Sequence, residues 1–535
     1  MVRIGIATLC AVRLSSPKLQ GVSLYRVVSS LAVAVLVIAG CASNDTSTVS
    51  FCTKQTTTAA AAPKIPHAKS SPTSAASGAS ATQVRYPAAV LSLATASKHA
   101  TLDSRPFSAH EFRFAEQPAP TPGPTLRILL PSTLHLLTGQ TYSLDFSDLI
   151  LGFEPDMKVE VAGPEGAEFK DNVWTFTPKA PGPLTLSVDV KSQAGAVLTS
   201  ASRSIEVLTP RTGINLRHLS IGDSITRAGG YTDLAVRCIL GGKELGTRTY
   251  DNGTICMEGR GGWTLQRYMA RIAQPMGGDS PFVFPRGVEG DKYRGNTAFW
   301  RDVTTTQPKA YAYGGFQMIA RGWKTTGAFD FDQNGYPTTP KRGDVVADPL
   351  QPPGAQWRFF DGAMWAPMTP QPNTEVSFPK YMKRYASAFS AGAPTSISIM
   401  LGTVDFLSTP TEQLWPAFKE RLDKLIGSIR SWNATVPIIL IGSPSGGPQN
   451  FWSETDQAIT AAEFNRRIAE YTDHLYAAYD TQENHDRNLY AISFLGVVSD
   501  NNMADYVHPK MPDGHAQMAP WLAGILAHLI SGGAV

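Results

Sequence analysis

Cysteine is scarce in this sequence: five residues in 535, at positions 10, 41, 52, 238 and 256. No spacing of cysteine and histidine suits a zinc site, so no metal centre is expected from motif alone. A strong charge bias is also missing, because the net charge is only +3, the pI is near 8.4 and the basic residues are scattered. No nucleic-acid partner is therefore expected. The apolar run Val27 to Ala39 is too short to span a bilayer comfortably. The serine signature Gly-x-Ser-x-Gly is absent as well, since in Gly442-Ser443-Pro444-Ser445-Gly446 the serines fall in the wrong slots.

What is present divides the chain. At 535 residues it exceeds one ordinary core, so two domains plus non-globular segments are expected. Lys18 and Arg26, the apolar run and a small pair before Cys41 follow the charged, apolar, small order of an export signal. Ile38-Ala39-Gly40-Cys41 resembles a bacterial lipobox, which makes residues 1–41 a lipoprotein signal and Cys41 the lipidated residue. An ordinary cleaved signal with an incidental Cys41 is the alternative. Ala42 resembles an outer-membrane sorting position, so an exported lipoprotein of the outer membrane or cell surface is expected. The stretch before Lys18 is longer than such signals need and points to a start downstream of Met1.

Residues 42–122 are rich in Ser, Thr, Ala and Pro and cannot bury enough apolar area to offset ordering, so they read as a disordered tether. From 123 to 210, short stretches near 126, 142, 158, 173 and 184 alternate apolar with polar residues between turn signals such as Pro181-Gly182-Pro183. That predicts a small all-β, immunoglobulin-like sandwich. A spacer is its simplest role, with a carbohydrate-binding module or a lid on the neighbouring domain as alternatives.

Beyond residue 214, an apolar run stops at Gly222-Asp223, and Ser224 precedes an amphipathic stretch from Tyr231 to Leu240. Strand, tight turn and helix follow, with Ser224 at the carboxyl end of the strand, where open α/β sheets hold ligands. Apolar runs near 396, 437 and 489 alternate with helical patterns near 414, 458 and 513, which predicts a parallel sheet with helices on both faces. Asp505 and His508 are three apart, so a single turn can present both to Ser224. A serine needs a base, and the base needs a group that fixes its tautomer.

These blocks resemble the SGNH hydrolase superfamily, the GDSL-type esterases. Gly222-Asp223-Ser224-Ile225-Thr226 is similar to the first family block and Asp505-x-x-His508-Pro509 to the last. Glu258-Gly259-Arg260-Gly261-Gly262-Trp263-Thr264 resembles the second, with Gly262 aligned to the oxyanion glycine. The third, normally Gly-x-Asn-Asp, reads Gly402-Thr403-Val404-Asp405, and Val404 cannot donate a hydrogen bond. The resemblance covers about residues 214 to 530 and implies a three-layer, flavodoxin-like α/β hydrolase domain over 214–535. It further implies Ser224 as nucleophile, His508 as base, Asp505 as its orienting acid, the Ser224 and Gly262 amides as oxyanion hole, and no cofactor.

The expected activity is carboxylic ester hydrolysis through an acyl-enzyme, with an acylated polysaccharide or glycoconjugate as first choice of substrate. A lipolytic or short-chain acyl esterase is the alternative, and an inactive surface binding or adhesion lipoprotein is the rival from another class. Membrane contact through the lipid anchor only, and a monomer, are expected. An aromatic-rich insertion occupies about 277–391, with most of its rings expected to serve as core and a few to face the substrate as an aromatic wall beside the site. Within it Asp330-Phe331-Asp332-Gln333-Asn334-Gly335 begins like a calcium loop, but Lys341 stands where a bidentate Glu belongs, so a polar turn is the better reading. Cys238 and Cys256 could form a disulfide in an exported protein; two buried thiols are the alternative.

Overall fold

The structure, a computed structural model, describes residues 126–211, 215–250, 255–270, 280–294, 324–325, 336–337, 339–348, 351–352, 354–453, 455 and 459–535. The signal and Cys41, the tether and the calcium-like segment 330–335 lie outside the described residues. Among the described residues no helix is long and apolar enough to cross a membrane.

The first part is all β apart from one short helix, α1 (Phe146–Leu149). One sheet has the order β2 (Thr133–Leu137), β9 (Val197–Leu208), β8 (Gly182–Lys191), β5 (Lys158–Ala162). A second has β3 (Tyr142–Asp145), β7 (Val173–Phe176), β6 (Glu168–Lys170), and β1 (Arg127–Ile128) pairs with β4 (Ile150–Leu151). Alternation explains the burial: Leu186, Val188 and Val190 of β8 are fully buried while the residues between them are not. β6 and β9 are the local hairpin partners of β7 and β8, whereas β2 runs parallel to β9, a pairing between residues far apart along the chain.

The main sheet is built from β10 (Arg217–Gly222), β11 (Lys243–Leu245), β12 (Arg248–Tyr250), β13 (Ile255–Gly259), β15 (Lys324–Thr325), β20 (Ser396–Met400), β21 (Ile438–Gly442) and β22 (Leu489–Ser493). Between them the insertion adds β14 (Val283–Pro285) paired with β19 (Thr374–Val376), and a ribbon of β16 (Val345–Ala347), β17 (Trp357–Phe360) and β18 (Trp365–Pro367). Phe282, Phe284, Tyr293 and Trp357 are buried, as a segment with its own core requires.

The strands β13, β10, β20, β21 and β22 are mutually parallel and adjacent in that order. Numbered along the chain, they read 2-1-3-4-5, the flavodoxin-like order, whose direction of winding reverses between the first and third strands. The carboxyl end of β10 beside β20 is therefore the crevice of this fold.

Helices follow the strands: α2 (Ser224–Ala228), α3 (Gly230–Asp233) continuing as a π-helical turn over Leu234–Ile239, α4 (Leu265–Ala270), α5 (Phe378–Arg384), α6 (Thr403–Ser408), α7 (Thr411–Trp432), α8 (Gln449–Ser453), α9 (Ala461–Tyr479), α10 (Gln482–Asp486) and α11 (Asp513–Ser531). In α7 the buried apolar residues are Phe418, Leu422, Leu425, Ile426 and Ile429, a single stripe at helical spacing. α11 is different. It is buried almost all round, because it lies between α3 with its π-helical turn and strand β2 of the β-rich part. At Gly524 its backbone meets β2 directly: a Cβ there would fall 1.9 Å from the His135 carbonyl oxygen. Tyr142 accepts from the Leu137 amide at 2.7 Å and donates to the Pro520 carbonyl at 3.3 Å, and the Asp145 amide donates to the Gly496 carbonyl at 2.7 Å. The β-rich part is thus docked on the α/β part rather than hung from a linker.

The expected Cys238–Cys256 bond does not form. Cys238 is disulfide-bonded, while Cys256, the second residue of β13 and opposite Thr249, retains a thiol whose pKa burial raises to about 12. A sulfur makes one disulfide only, so Cys238 has none to offer Cys256.

Candidate active site

β10 enters the crevice fully buried from His218 to Gly222. His218 sits between the Ser396 and Ser398 hydroxyls of β20 at 2.8 and 2.9 Å, and desolvation lowers its pKa to about 3. It is a neutral strut. Gly222 is needed for space: a Cβ would lie 2.1 Å from Thr226 Oγ1 and 2.7 Å from the Met400 carbonyl oxygen. Asp223 caps α2, its Oδ1 accepting from the Ile225 amide at 2.9 Å. Burial raises its pKa, against the opposing pull of that amide and of the Thr403 hydroxyl. Ser224 is then the first residue of α2, half-buried at the mouth of the crevice.

The loop ahead of α11 carries the partners. It folds back on itself through Ala504 N to His508 O and Lys510 N to Asn502 O, both at 2.7 Å. Asp505 Oδ1 accepts the Val507 and His508 amides at 2.9 and 2.8 Å, an Asx turn that its spacing to His508 makes possible. The same carboxylate receives His508 Nδ1 at 2.8 Å, and His508 Nε2 lies 2.6 Å from Ser224 Oγ. Partial burial acts to raise the Asp505 pKa, but the bond and charge of His508 and the two amides outweigh it, so the net shift is downward. An ionised Asp505 fixes the proton on Nδ1 and leaves the Nε2 lone pair facing the hydroxyl. The three residues named from sequence thus lie in one hydrogen-bonded line.

Gly262 occupies a turn closed by the Trp263 amide on the Arg260 carbonyl at 3.2 Å, with φ of +69°. That conformation favours glycine. The turn is tied to β10 by the Arg260 amide on the Gly222 carbonyl at 2.8 Å. Beneath it is a buried network that sequence reading missed. Glu258 accepts from the Thr247 amide and Tyr381 hydroxyl, each at 2.8 Å, and pairs with Arg260 at 3.4 Å, whose guanidinium stacks 4.7 Å above the Trp263 ring. Glu258 and Arg260 were in view within the second block; Tyr381, more than a hundred residues on, carried no signal.

The third block supports the same loop. Both Asp405 oxygens accept the Leu265 amide at 3.1 Å, capping α4 just past Gly262, and burial raises the Asp405 pKa to about 7. Val404 is half-buried in α6 and offers no donor. Among the described residues neither the Ser224 nor the Gly262 amide takes a protein acceptor, which leaves both available to an anion. The arrangement can therefore deprotonate a hydroxyl and hold a developing negative charge nearby.

No protein-family model matches the chain, and no curated protein does. Among solved structures, the chain is similar to a salicylyl-acyltransferase from a tetracycline biosynthetic pathway, at 14% identity over 76% of this chain and 81% of that one, with a TM-score of 0.23. A carbohydrate acetylesterase from Xanthomonas citri matches at 12% identity over 77% and 76%, TM-score 0.20. A peptidoglycan O-acetylesterase matches at 14% identity over 60% and 93%, TM-score 0.25. Shorter matches include a putative alpha-galactosidase from Bacteroides fragilis, of which the chain spans 20%. Likenesses this distant carry no argument about chemistry, which rests on the site itself.

Proposed function

We propose that the chain is a serine carboxylic ester hydrolase working through an acyl-enzyme. The observation that carries this reading is the 2.6 Å contact between Ser224 Oγ and His508 Nε2, continued by the 2.8 Å contact from Nδ1 to Asp505. Ser224 Oγ attacks the ester carbonyl as His508 takes its proton, and the Ser224 and Gly262 amides hold the oxyanion. Collapse breaks the bond to the alcohol, which leaves with the proton from His508. Water, deprotonated by the same imidazole, then releases the acid and frees the serine. Asp505 holds the tautomer throughout. With Val404 in place of a third donor, turnover is expected to be lower by roughly 10²–10³ than with a full oxyanion hole.

For substrate we favour an acylated polysaccharide or glycoconjugate, deacetylated outside the cell by a protein tethered through Cys41. The sequence expectations of an export signal, a β-sandwich module and an insertion with rings facing the substrate favour this. A lipolytic or short-chain esterase remains the alternative, and Val404 favours a second reading, an inactive surface binding protein. Wild type and Ser224→Ala are compared on p-nitrophenyl esters of increasing acyl length and on acetylated glycans. Abolished turnover in the variant is expected, together with a preference for acetate. Equal rates in the two proteins reject the enzyme, and activity confined to long acyl chains rejects the sugar substrate.

A further inference from the structure

Far from Ser224, three potential metal ligands meet where the β-rich part touches α11. His135 of β2 and Glu206 of β9 are direct partners in the parallel register. Gly524 lets α11 press its backbone on β2 at His135, and His528, one helical turn further along, is carried over the same spot. As a result His135 Nδ1 and His528 Nδ1 both point at one carboxylate oxygen, Glu206 Oε2, at 2.9 and 2.7 Å. The two rings lie 4.1 Å apart between centroids, and the three ligand atoms all fall within 4.8 Å of one another.

We infer that His135, Glu206 and His528 bind one divalent cation of the late first-row type, zinc in the first place, clamping the β-rich part to the last helix. Two imidazole nitrogens and a carboxylate suit zinc and its neighbours, whereas magnesium and calcium favour all-oxygen sites. Zinc bonds of about 2.0–2.2 Å in a tetrahedron place ligand atoms about 3.4 Å apart, so the two Nδ1–Oε2 edges open by about 0.5–0.7 Å while the His–His edge, at most 4.8 Å, settles to the same length. On binding, each ring gives up its Nδ1 hydrogen bond to Glu206 and carries its proton on Nε2. Side-chain exposures of 10% for His135, 41% for Glu206 and 32% for His528 leave an entry path and a fourth position for water.

The site is separate from the proposed catalysis. His515, whose Nδ1 accepts the Tyr231 amide at 3.1 Å, lies at the start of α11 near the loop of His508, and His528 is about 20 Å further along the helix. No motif announces the cluster, because Glu206 is 71 residues from His135 and 322 from His528.

The test is zinc titration of chelator-treated full-length protein by calorimetry, with thermal melting and cobalt(II) absorption as second readouts. Wild type is expected to take one zinc per chain, melt higher with zinc, and show the visible bands of four-coordinate cobalt. His528→Ala and Glu206→Gln are expected to lose more than about a hundredfold in affinity, beyond what an outer-shell partner costs, with metal-free ester turnover unchanged. Glu206→Gln keeps an oxygen for the rings and covers the case in which His528→Ala folds poorly. Absence of stoichiometric zinc in wild type, or equal zinc affinity in wild type and a folded variant, overturns the inference.

Discussion

Asp505→Asn tests the proposed relay most sharply, because the structure separates what Asp505 does for folding from what it does for His508. Its Oδ1 accepts two backbone amides, at 2.9 and 2.8 Å, and an amide oxygen can do the same. Stability should change by less than about 1 kcal/mol. The other half of the new side chain is a donor facing His508 Nδ1, which drives the ring to the opposite tautomer and points an N–H at Ser224. For a buried acid the wrong tautomer costs about 10⁴ in kcat. Here the Asp505 side chain is 44% exposed, so water can screen and reorient the pair. The expected loss is therefore about 10²–10³ in kcat, or roughly 3–4 kcal/mol of barrier, with KM little changed. Asp505→Ala removes the amide acceptor as well and should lose about 1–2 kcal/mol of stability in addition. Steady-state kinetics on p-nitrophenyl acetate and urea unfolding of the three proteins measure both effects. A kcat within threefold of wild type for Asp505→Asn, or a loss confined to KM, would refute the relay.

Other outcomes follow from packing and burial. Gly222→Ala puts a Cβ against Thr226, which cannot retreat because its hydroxyl is held by Tyr231 at 3.0 Å, so about 3 kcal/mol of stability should be lost; an unchanged urea midpoint would contradict the contact. Asp405 has a folded pKa raised to about 7, so the native state holds its proton more tightly than the unfolded chain does, and stability from this group falls as pH rises from about 4 to about 7. Asp405→Asn, which keeps an acceptor for Leu265, should be close to wild type at about pH 4 and gain on it by about pH 7.5; parallel pH profiles of melting would argue against the buried acid.

Local chemistry in the sequence determined much of the site. A glycine and an acid ending an apolar run placed Ser224 after a strand, and a spacing of three let Asp505 and His508 share one turn. The sheet strands and long helices were legible because their runs and stripes are local patterns. What the tertiary structure decided depends on pairings between residues far apart, which no window contains. β2 and β9 each alternate apolar with polar residues around His135 and Glu206, but only their parallel register sets the two opposite one another. Cys238 and Cys256 were open to pairing in an exported protein, yet Cys238 is disulfide-bonded and Cys256 is not its partner, which no local pattern in the sequence decides. Glu258, Arg260 and Tyr381 are charged or polar residues that hydropathy assigns to the surface. They are buried because each is satisfied by the others or by backbone, and that compensation exists only once the fold has brought them together.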